Sequence, residues 1–328
     1  MKRKLNVGAE QWPLREPFVI SRLVQEHGEV VVAEIEEDGA VGRGECERAD
    51  AFVPGRTPVV AEIEAVRDRI EAGMDRAELQ EALPSGPARC ALDCALWDLE
   101  AKRTGQPVHR LAGLPGPLQP ATTVFTISLD SPEKMATDAA AHRHRPVLKL
   151  KLGREGDPAR VAAVRAAAPA ARISVDANTG WSEAQLRDYA PKLAALGVEL
   201  IEQPFAPGQD VMLAGFDSPI PLAADESCLD RSSLPQLAGK YGYVNVKLDK
   251  AGGLTEALAL AREARSMGFG IMVGCNIGTS LAMAPGMVVA QLASFVDLDG
   301  PLLLAEDREP GLRYENSLVS PPDPALWG

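Results

Sequence analysis

Short apolar runs recur along the second half of the chain, and most of them end in a charged residue. Successive ends are 22 to 27 residues apart, and they fall at Lys151, Asp176, Glu202, Asp225, Lys247, Gly274 and Asp297. Each interval holds a segment rich in Ala, Leu, Arg and Glu, which predicts a helix. A repeated strand–helix unit predicts a parallel barrel, which brings the carboxyl ends of its strands together on one face.

The first third of the chain has a different pattern. Apolar residues predict a strand over residues 4–12 and a hairpin over residues 30–46, which turns at Asp38-Gly39. Helix start and stop signals predict helices over residues 57–72 and 87–104. Strands followed by helices, without alternation of the two, are typical of an α+β unit.

These patterns predict an α/β protein with two structural units. We expect residues 1–115 to form an α+β capping domain and residues 116–300 to form the catalytic barrel. After residue 300 the chain becomes rich in proline and loses the strand–helix alternation. We therefore expect the tail, residues 301–328, to return and complete the cap.

Composition and charge narrow the classes of partner. The chain has 328 residues, of which 46% are hydrophobic, and its net charge is −12 without any basic run. Nucleic acid and anionic membranes are therefore poor partners. The N-terminus lacks the apolar stretch of a signal peptide, and no apolar run reaches membrane-spanning length. The five cysteines show no metal-binding spacing, which favours a reduced cytoplasm. The sequence is compatible with assembly of the chain into a homo-oligomer.

Two lysines share one face of the predicted strand over residues 147–151. Lys149 and Lys151 are two positions apart, and side chains at that spacing point the same way from a strand. Two close ammonium groups repel each other, so we expect a lowered lysine pKa, in the range that a catalytic base needs.

Three consecutive strands end in carboxylates, at Asp176, Glu202 and Asp225. Three carboxylates at one barrel mouth repel each other unless a cation lies among them, and oxygen ligands without His or Cys suit Mg²⁺. Such a metal can bind a substrate carboxylate and stabilise the enediolate formed when the α-proton leaves. Lys247 lies four units after Lys151, nearly opposite in an eight-strand ring. Bases on opposite faces of one carbon predict racemisation or epimerisation.

The motifs that carry these residues resemble the muconate-lactonizing subgroup of the enolase superfamily, which uses Lys or His bases with Mg²⁺. The matching segments are Lys149-x-Lys151, Asp176-Ala177-Asn178, Glu202-Gln203-Pro204, Asp225-Glu226-Ser227 and residues 245–253. The resemblance implies a modified TIM barrel of the (β/α)₇β type under an α+β cap. It implies Mg²⁺ held by the three carboxylates. It also implies acid/base roles for Lys151 and Lys247, with Lys149 assisting Lys151.

The last strand carries a further pair of acids, Asp297 and Asp299, which can bind a substrate ammonium group. This Asp-x-Asp resembles the dipeptide epimerases, and the resemblance is closest to the L-Ala-D/L-Glu epimerases that act on the murein dipeptide. We therefore predict epimerisation at the α-carbon of a dipeptide's C-terminal residue. Epimerisation of other dipeptides, N-acylamino-acid racemisation and o-succinylbenzoate synthesis are the alternatives within the fold. A Schiff-base aldolase and a non-catalytic binding protein are the others.

Substrate specificity depends on the loops around the barrel mouth. We expect Arg22, in a loop predicted over residues 17–22, to bind the substrate's glutamate side chain, with Arg48 and Arg56 as rivals. Asn178 and Cys275 are expected to contact the substrate too. The loop over residues 47–56 and the segment 274–277 both differ from the family's usual pattern, and we expect these two segments to affect side-chain specificity rather than the chemistry.

Overall fold

The cap begins with a three-stranded antiparallel sheet in the order β1-β2-β3. The computed structural model describes residues 3–53 and 55–328, so Met1, Lys2 and Pro54 of the predicted cap lie outside the described residues. The strands of this sheet are β1 (Lys4–Val19), β2 (Val24–Glu37) and β3 (Ala40–Glu47).

The first strand is longer than the sequence predicts. Its pairing with β2 shifts register between Pro13 and Phe18 and then resumes, with Phe18 opposite Gln25. The predicted loop over residues 17–22 is therefore wrong at its start, and the connection is a tight turn in which Ile20 N–H donates to Leu23 O at 3.0 Å. The irregularity at the prolines interrupts the alternation that marks a strand.

Helices cover one face of this sheet. The predicted helix over residues 57–72 is split in two, whereas the helix over residues 87–104 is confirmed and ends at Gly105 in the left-handed conformation (φ 65°). This long helix packs so closely that a Cβ on Gly42 of β3 would lie 2.1 Å from Ala95 O. The helices are α1 (Val59–Glu64), α2 (Arg67–Glu71), α3 (Arg76–Ala82), α4 (Pro87–Thr104) and α5 (Val108–Leu111).

Eight parallel strands follow each other round the second unit in chain order. After a short strand β4 (Ala121–Thr122), they are β5 (Phe125–Ile127), β6 (Val147–Lys151), β7 (Arg172–Asp176), β8 (Val198–Glu202), β9 (Leu222–Ala224), β10 (Tyr243–Lys247), β11 (Gly270–Gly274) and β12 (Phe295–Val296). Val124, which precedes β5, donates its backbone N–H to Val296 O of β12 at 2.9 Å, so the two sheet edges meet. The predicted fold class, a modified TIM barrel with a cap, is confirmed.

Helices connect most of these strands. They are α6 (Pro132–Ala141), α7 (Asp157–Ala167), α8 (Glu183–Ala195), α9 (Leu234–Leu237), α10 (Leu248–Ala251), α11 (Leu254–Ser266), α12 (Ser280–Ala290) and α13 (Gly300–Leu303). The prediction of a helix in every interval is wrong after β8, where the chain forms only a 3₁₀ turn, Asp210–Leu213. Four prolines and two glycines in residues 203–221 explain the difference, because both residue types disfavour helix interiors.

The tail returns along the molecule to the cap. Strands β13 (Tyr314–Glu315) and β14 (Leu318–Val319) form a small antiparallel sheet with β4. Trp327 Nε1 then donates to Cys94 O of α4 at 3.0 Å. These contacts support the division that we propose, a cap of residues 1–115 with 301–328 and a barrel of residues 116–300. Within the described part of the chain, no helix is both long and apolar enough to span a membrane.

Candidate active site

A cavity of about 380 Å³ lies where the cap meets the carboxyl ends of the barrel strands. Its walls come from both units, with Phe18 and Gln25 of the cap facing the strand ends of the barrel. The predicted site residues in its lining are Arg22, Lys151, Asn178, Asp225, Lys247, Cys275, Asp297 and Asp299. Lys149, Asp176 and Glu202 are buried next to these residues. The structure thus brings all the predicted site residues into one region.

The three predicted metal ligands end neighbouring strands. Asp176 ends β7, Glu202 ends β8 in register with it, and Asp225 follows β9. All three are buried, and one carboxylate oxygen from each lies within 4.8 Å of the others. Burial, together with the charges of Asp176 and Asp225, raises the pKa of Glu202 to about 7. Such a cluster carries a strong electrostatic cost that a divalent cation offsets.

The donor set fits Mg²⁺. Glu202 Oε1 accepts from Asn245 Nδ2 at 2.5 Å, but buried Oε2 accepts no hydrogen bond within the described residues, although Lys149 Nζ lies 2.6 Å away. An oxygen with spare acceptor capacity in a ring of carboxylates is a typical hard ligand. Gln203 Oε1 accepts the Asp225 N–H at 2.8 Å and so ties together the ends of β8 and β9.

Two ammonium groups lie at opposite ends of this carboxylate row. Lys151 Nζ is 2.7 Å from Asp176 Oδ2, and Lys247 Nζ is 2.8 Å from Asp225 Oδ2. Their strands, β6 and β10, are four positions apart in the ring of eight. The predicted position of Lys247 opposite Lys151 in the ring therefore matches the arrangement of these strands.

The expected direction of the lysine pKa shift is wrong. Lys149 Nζ lies 2.6 Å from both Glu202 and Asp297, and 3.3 Å from Asp176. Although burial disfavours its ammonium form, these carboxylates raise the pKa of Lys149 well above its usual range. Likewise, Asp225 and Glu202 outweigh burial and raise the pKa of Lys247. The sequence argument considered only repulsion between lysines, whereas carboxylates from other strands dominate the local field.

Asp297 and Asp299 form an acidic recess at one side of the cavity. Asp297 is paired with Lys149 at 2.6 Å, and Asp299 Oδ2 accepts the Thr126 backbone N–H at 2.6 Å. Burial and the charge of Asp297 raise the pKa of Asp299 to about 7. The thiol of Cys275 lies beside them, and burial raises its pKa well above the ordinary value, so the thiol is neutral. A substrate cation suits this recess.

Arg22 occupies the β1–β2 turn, and protein groups already engage its guanidinium. Nη1 donates to Asn178 O at 2.9 Å, and Nη2 is 2.8 Å from Glu226 Oε1. Asn178 itself adopts a positive φ of 42°, its N–H donates to Asp176 Oδ1, and its buried Oδ1 has no hydrogen-bond partner among the described residues. The rival Arg48 pairs with Glu29 at 3.2 Å. Arg22 thus closes the hairpin tip onto the barrel mouth.

Sequence reasoning missed Gln25. Gln25 is only 8% exposed, whereas its neighbour Val24 is 58% exposed. The Gln25 side chain therefore points inward from β2 into the cavity. Among the described residues, no group hydrogen-bonds its amide, which leaves a donor and an acceptor available to a substrate. Recognising residues 24–26 as part of a strand would have revealed the inward position.

A second missed residue is Lys250, whose Nζ lies 2.5 Å from Asp225 Oδ1. Lys247 and Lys250 contact different oxygens of the same carboxylate and, with burial opposing them, hold the pKa of Asp225 well below its usual range. Their spacing of three residues, at the start of α10, was the available signal, because such residues share a helix face.

Comparison with known proteins places this site in a family. Residues 2–113 match the family model of the mandelate racemase/muconate lactonizing enzyme N-terminal domain, and residues 133–325 match the enolase C-terminal domain-like model. The chain is 44% identical to an L-Ala-D/L-Glu epimerase of Escherichia coli (strain K12), over 95% of this chain and 98% of that protein. It is 46% identical to an N-acetyl-D-glutamate racemase of a Pseudoalteromonas species, over 78% and 80%.

Solved structures agree with these relatives. An enolase family member from Agrobacterium tumefaciens, described as homologous to dipeptide epimerases and bound to sodium and L-Ala-L-Glu, is 48% identical with a TM-score of 0.96, covering 99% of this chain and 100% of that chain. A dipeptide epimerase from Methylococcus capsulatus, in complex with Mg and L-Arg-D-Lys, is 31% identical with a TM-score of 0.90, covering 100% and 99%. These matches confirm the resemblance seen in the sequence. The chain belongs to the mandelate racemase/muconate lactonizing enzyme family of the enolase superfamily.

Proposed function

We propose that this protein is a Mg²⁺-dependent dipeptide epimerase that inverts the α-carbon of the C-terminal residue, with alanyl-glutamate as its substrate. The observation that carries the proposal is the placement of Lys151 and Lys247 at opposite ends of a buried carboxylate row. The acidic recess beside that row supplies the place for a free ammonium group. A dipeptide, which carries its ammonium group on one residue and its α-carboxylate on the next, has a partner for each charge in this cavity.

The residues of this site have the following roles in the proposed reaction. Asp297 and Asp299 bind the ammonium group of the N-terminal residue and so orient the peptide. One of Lys151 and Lys247, as a neutral amine, takes the α-proton, and the other, as an ammonium group, delivers a proton to the opposite face. Lys149 acts through its contacts with Asp176, Glu202 and Asp297 and holds these carboxylates in place. When bound by Asp176, Glu202 and Asp225, Mg²⁺ supplies positive charge that offsets the negative charge developing on the substrate carboxylate.

N-acylamino-acid racemisation is the second candidate. The 46% identity to an N-acetyl-D-glutamate racemase favours it, and its chemistry needs the same lysines and carboxylates. Asp297 and Asp299 argue against it, because an N-acyl substrate has no cation to place between two buried carboxyl groups. The same argument applies to o-succinylbenzoate synthesis.

A comparison of L-Ala-L-Glu with N-acetyl-L-Glu and acetyl-L-Ala-L-Glu in D₂O with Mg²⁺ tests the proposal. We expect deuterium to enter the α-position of the glutamate residue of the free dipeptide, with kcat/KM at least about 100-fold above that of the acylated compounds, because the ammonium group adds hydrogen bonds to Asp297 and Asp299, each worth about 1.5–3 kcal/mol. NMR of the α-proton measures the exchange. Asp297→Asn should reduce this preference, and a faster reaction with N-acetyl-Glu would favour the second candidate.

We further propose that Gln25 binds the side-chain carboxylate of the substrate's C-terminal residue. Gln25→Leu should raise KM for L-Ala-L-Glu about tenfold with little change in kcat, since a hydrogen bond to a charged group is worth about 1.5–3 kcal/mol. L-Ala-L-Leu, which has no such carboxylate, should react no more slowly with the variant. The matched control is Gln11→Leu, which removes an exposed amide bonded to Glu29 on the same sheet. An unchanged KM for L-Ala-L-Glu would refute this role.

We also propose a cytoplasmic location. Supporting it, none of the five cysteines, all of which are described, forms a disulfide, and four of them are buried. Thiols in this state suit a reducing compartment.

A further inference from the structure

Two segments, one from the cap and one from the barrel, meet at the wall of the cavity. Glu47 ends β3 in the cap, and Asn276 follows β11 in the barrel. Asn276 Nδ2 donates to Glu47 Oε2 at 2.9 Å, and both residues line the cavity. The hydrogen bond therefore joins the cap to the barrel within the candidate active site.

The amide of Asn276 bonds to Glu47 through its nitrogen and contacts Lys247 through its oxygen. Because Glu47 Oε2 accepts from the NH₂ group of Asn276, it holds that group toward itself and turns the amide oxygen away. That oxygen, Oδ1, lies 3.5 Å from Lys247 Nζ. The other polar contact of this ammonium group within the described residues is the proposed metal ligand Asp225. Asn276 thus gives Lys247 a contact that is independent of the metal ligands.

Glu47 is itself anchored next to Lys247. Its backbone N–H donates at 2.9 Å to Oδ1 of Asp249, which lies two residues after Lys247 in α10. Glu47 therefore contacts two segments next to Lys247. Its backbone N–H bonds to α10, and its side chain bonds to Asn276, which follows β11. Lys151 has no equivalent amide: its polar contact among the described residues is Asp176, and the Phe18 ring lies 5.7 Å away.

We propose that Glu47 and Asn276 are positioning residues for Lys247, holding its ammonium nitrogen on the line toward the substrate α-carbon. The inference rests on the proposed epimerase function and deepens it. Because Lys151 lacks this support, proton transfer on only one face of the α-carbon depends on the pair. A general contribution to folding would instead affect both faces alike.

Solvent deuterium exchange measured separately from L-Ala-L-Glu and L-Ala-D-Glu tests the inference. Lys247→Ala first identifies the epimer whose exchange depends on Lys247. Asn276→Leu, which keeps the side-chain volume but removes the amide, should slow exchange of that epimer about 10- to 100-fold, because small misplacements of a reacting group cost up to about 10²-fold. Exchange of the other epimer should stay within about twofold, and it serves as the internal control for folding.

The two substitutions of Glu47 complete the test. Glu47→Leu should reproduce the one-sided loss, whereas Glu47→Gln keeps an oxygen for the Asn276 amide and should restore exchange to within a few-fold of the wild type. Equal slowing of both epimers, slowing of neither, or equal effects of the two Glu47 substitutions would overturn the inference. Absence of exchange with the wild-type protein would overturn the proposed function itself.

Discussion

Replacing Lys151 by alanine is expected to stop solvent deuterium from entering one epimer of alanyl-glutamate while leaving its entry into the other epimer measurable. Lys247→Ala is expected to show the opposite preference. Each amine lies at its own end of the carboxylate row and so reaches one face of the α-carbon. Interconversion needs both amines, so either substitution should reduce epimerisation by about 10²–10⁴-fold, the usual contribution of a general acid or base.

The measurement is NMR-detected exchange from each pure epimer, with polarimetry for net interconversion. Lys192→Ala is the matched control, since that lysine pairs with Asp188 on the exposed surface and should behave as the wild type. A variant lacking either active-site amine that still epimerised at the wild-type rate would remove the physical basis of the proposal. Loss of exchange from both epimers in one variant and from neither epimer in the other would instead point to chemistry with a single base.

The second large effect that we expect is a loss of Mg²⁺ affinity when Glu202, the central carboxylate of the proposed metal site, is replaced. Glu202→Gln keeps the shape of the side chain and its contact with Asn245, but it removes one negative charge from the ligand set. Mg²⁺ affinity should fall at least about 100-fold, because loss of even an outer-shell partner of a metal costs about 10- to 100-fold in affinity and Glu202 is a proposed ligand. Activity at limiting Mg²⁺ should fall by a similar factor.

Isothermal titration calorimetry with MgCl₂ measures this loss independently of activity. Glu199→Gln provides the control, because Glu199 lies on the same strand but pairs with Arg172 at the protein surface. EDTA should abolish exchange in the wild type, and added Mg²⁺ should restore it. Activity that survives EDTA, together with borohydride trapping of a lysine, would favour the Schiff-base alternative.

The barrel was predictable because its signal is local and repeated. Most strands carry an apolar run that ends in a charged residue, and the regular spacing places those ends on one face whatever the details of packing. The motifs at Asp176, Glu202, Asp225 and Lys247 then indicate the chemistry. The failures occur where the pattern is interrupted, as at Pro13–Pro17 in β1 and in the proline-rich connection after β8.

The pKa shifts of the lysines were harder to predict from the sequence. Two lysines on one strand suggest mutual repulsion, but Lys149 lies among carboxylates at the ends of β7 and β8 and just after β12, which raise its pKa. These partners are 27 or more residues away in the chain. Coulomb energies depend on distance and burial in space, and neither can be read from sequence separation.

The sequence alone determined the barrel, the cap, the three carboxylates and the two opposed lysines, because these follow from periodicity and from residue type at strand ends. Only the tertiary structure decided which side chains share the cavity. It turned Gln25 inward, engaged Arg22 with Glu226, and brought Glu47 and Asn276 together beside Lys247. The physical reason is that the contacts of Arg22 with Glu226 and of Glu47 with Asn276 join segments more than 200 residues apart, and their geometry is set by packing rather than by any local pattern.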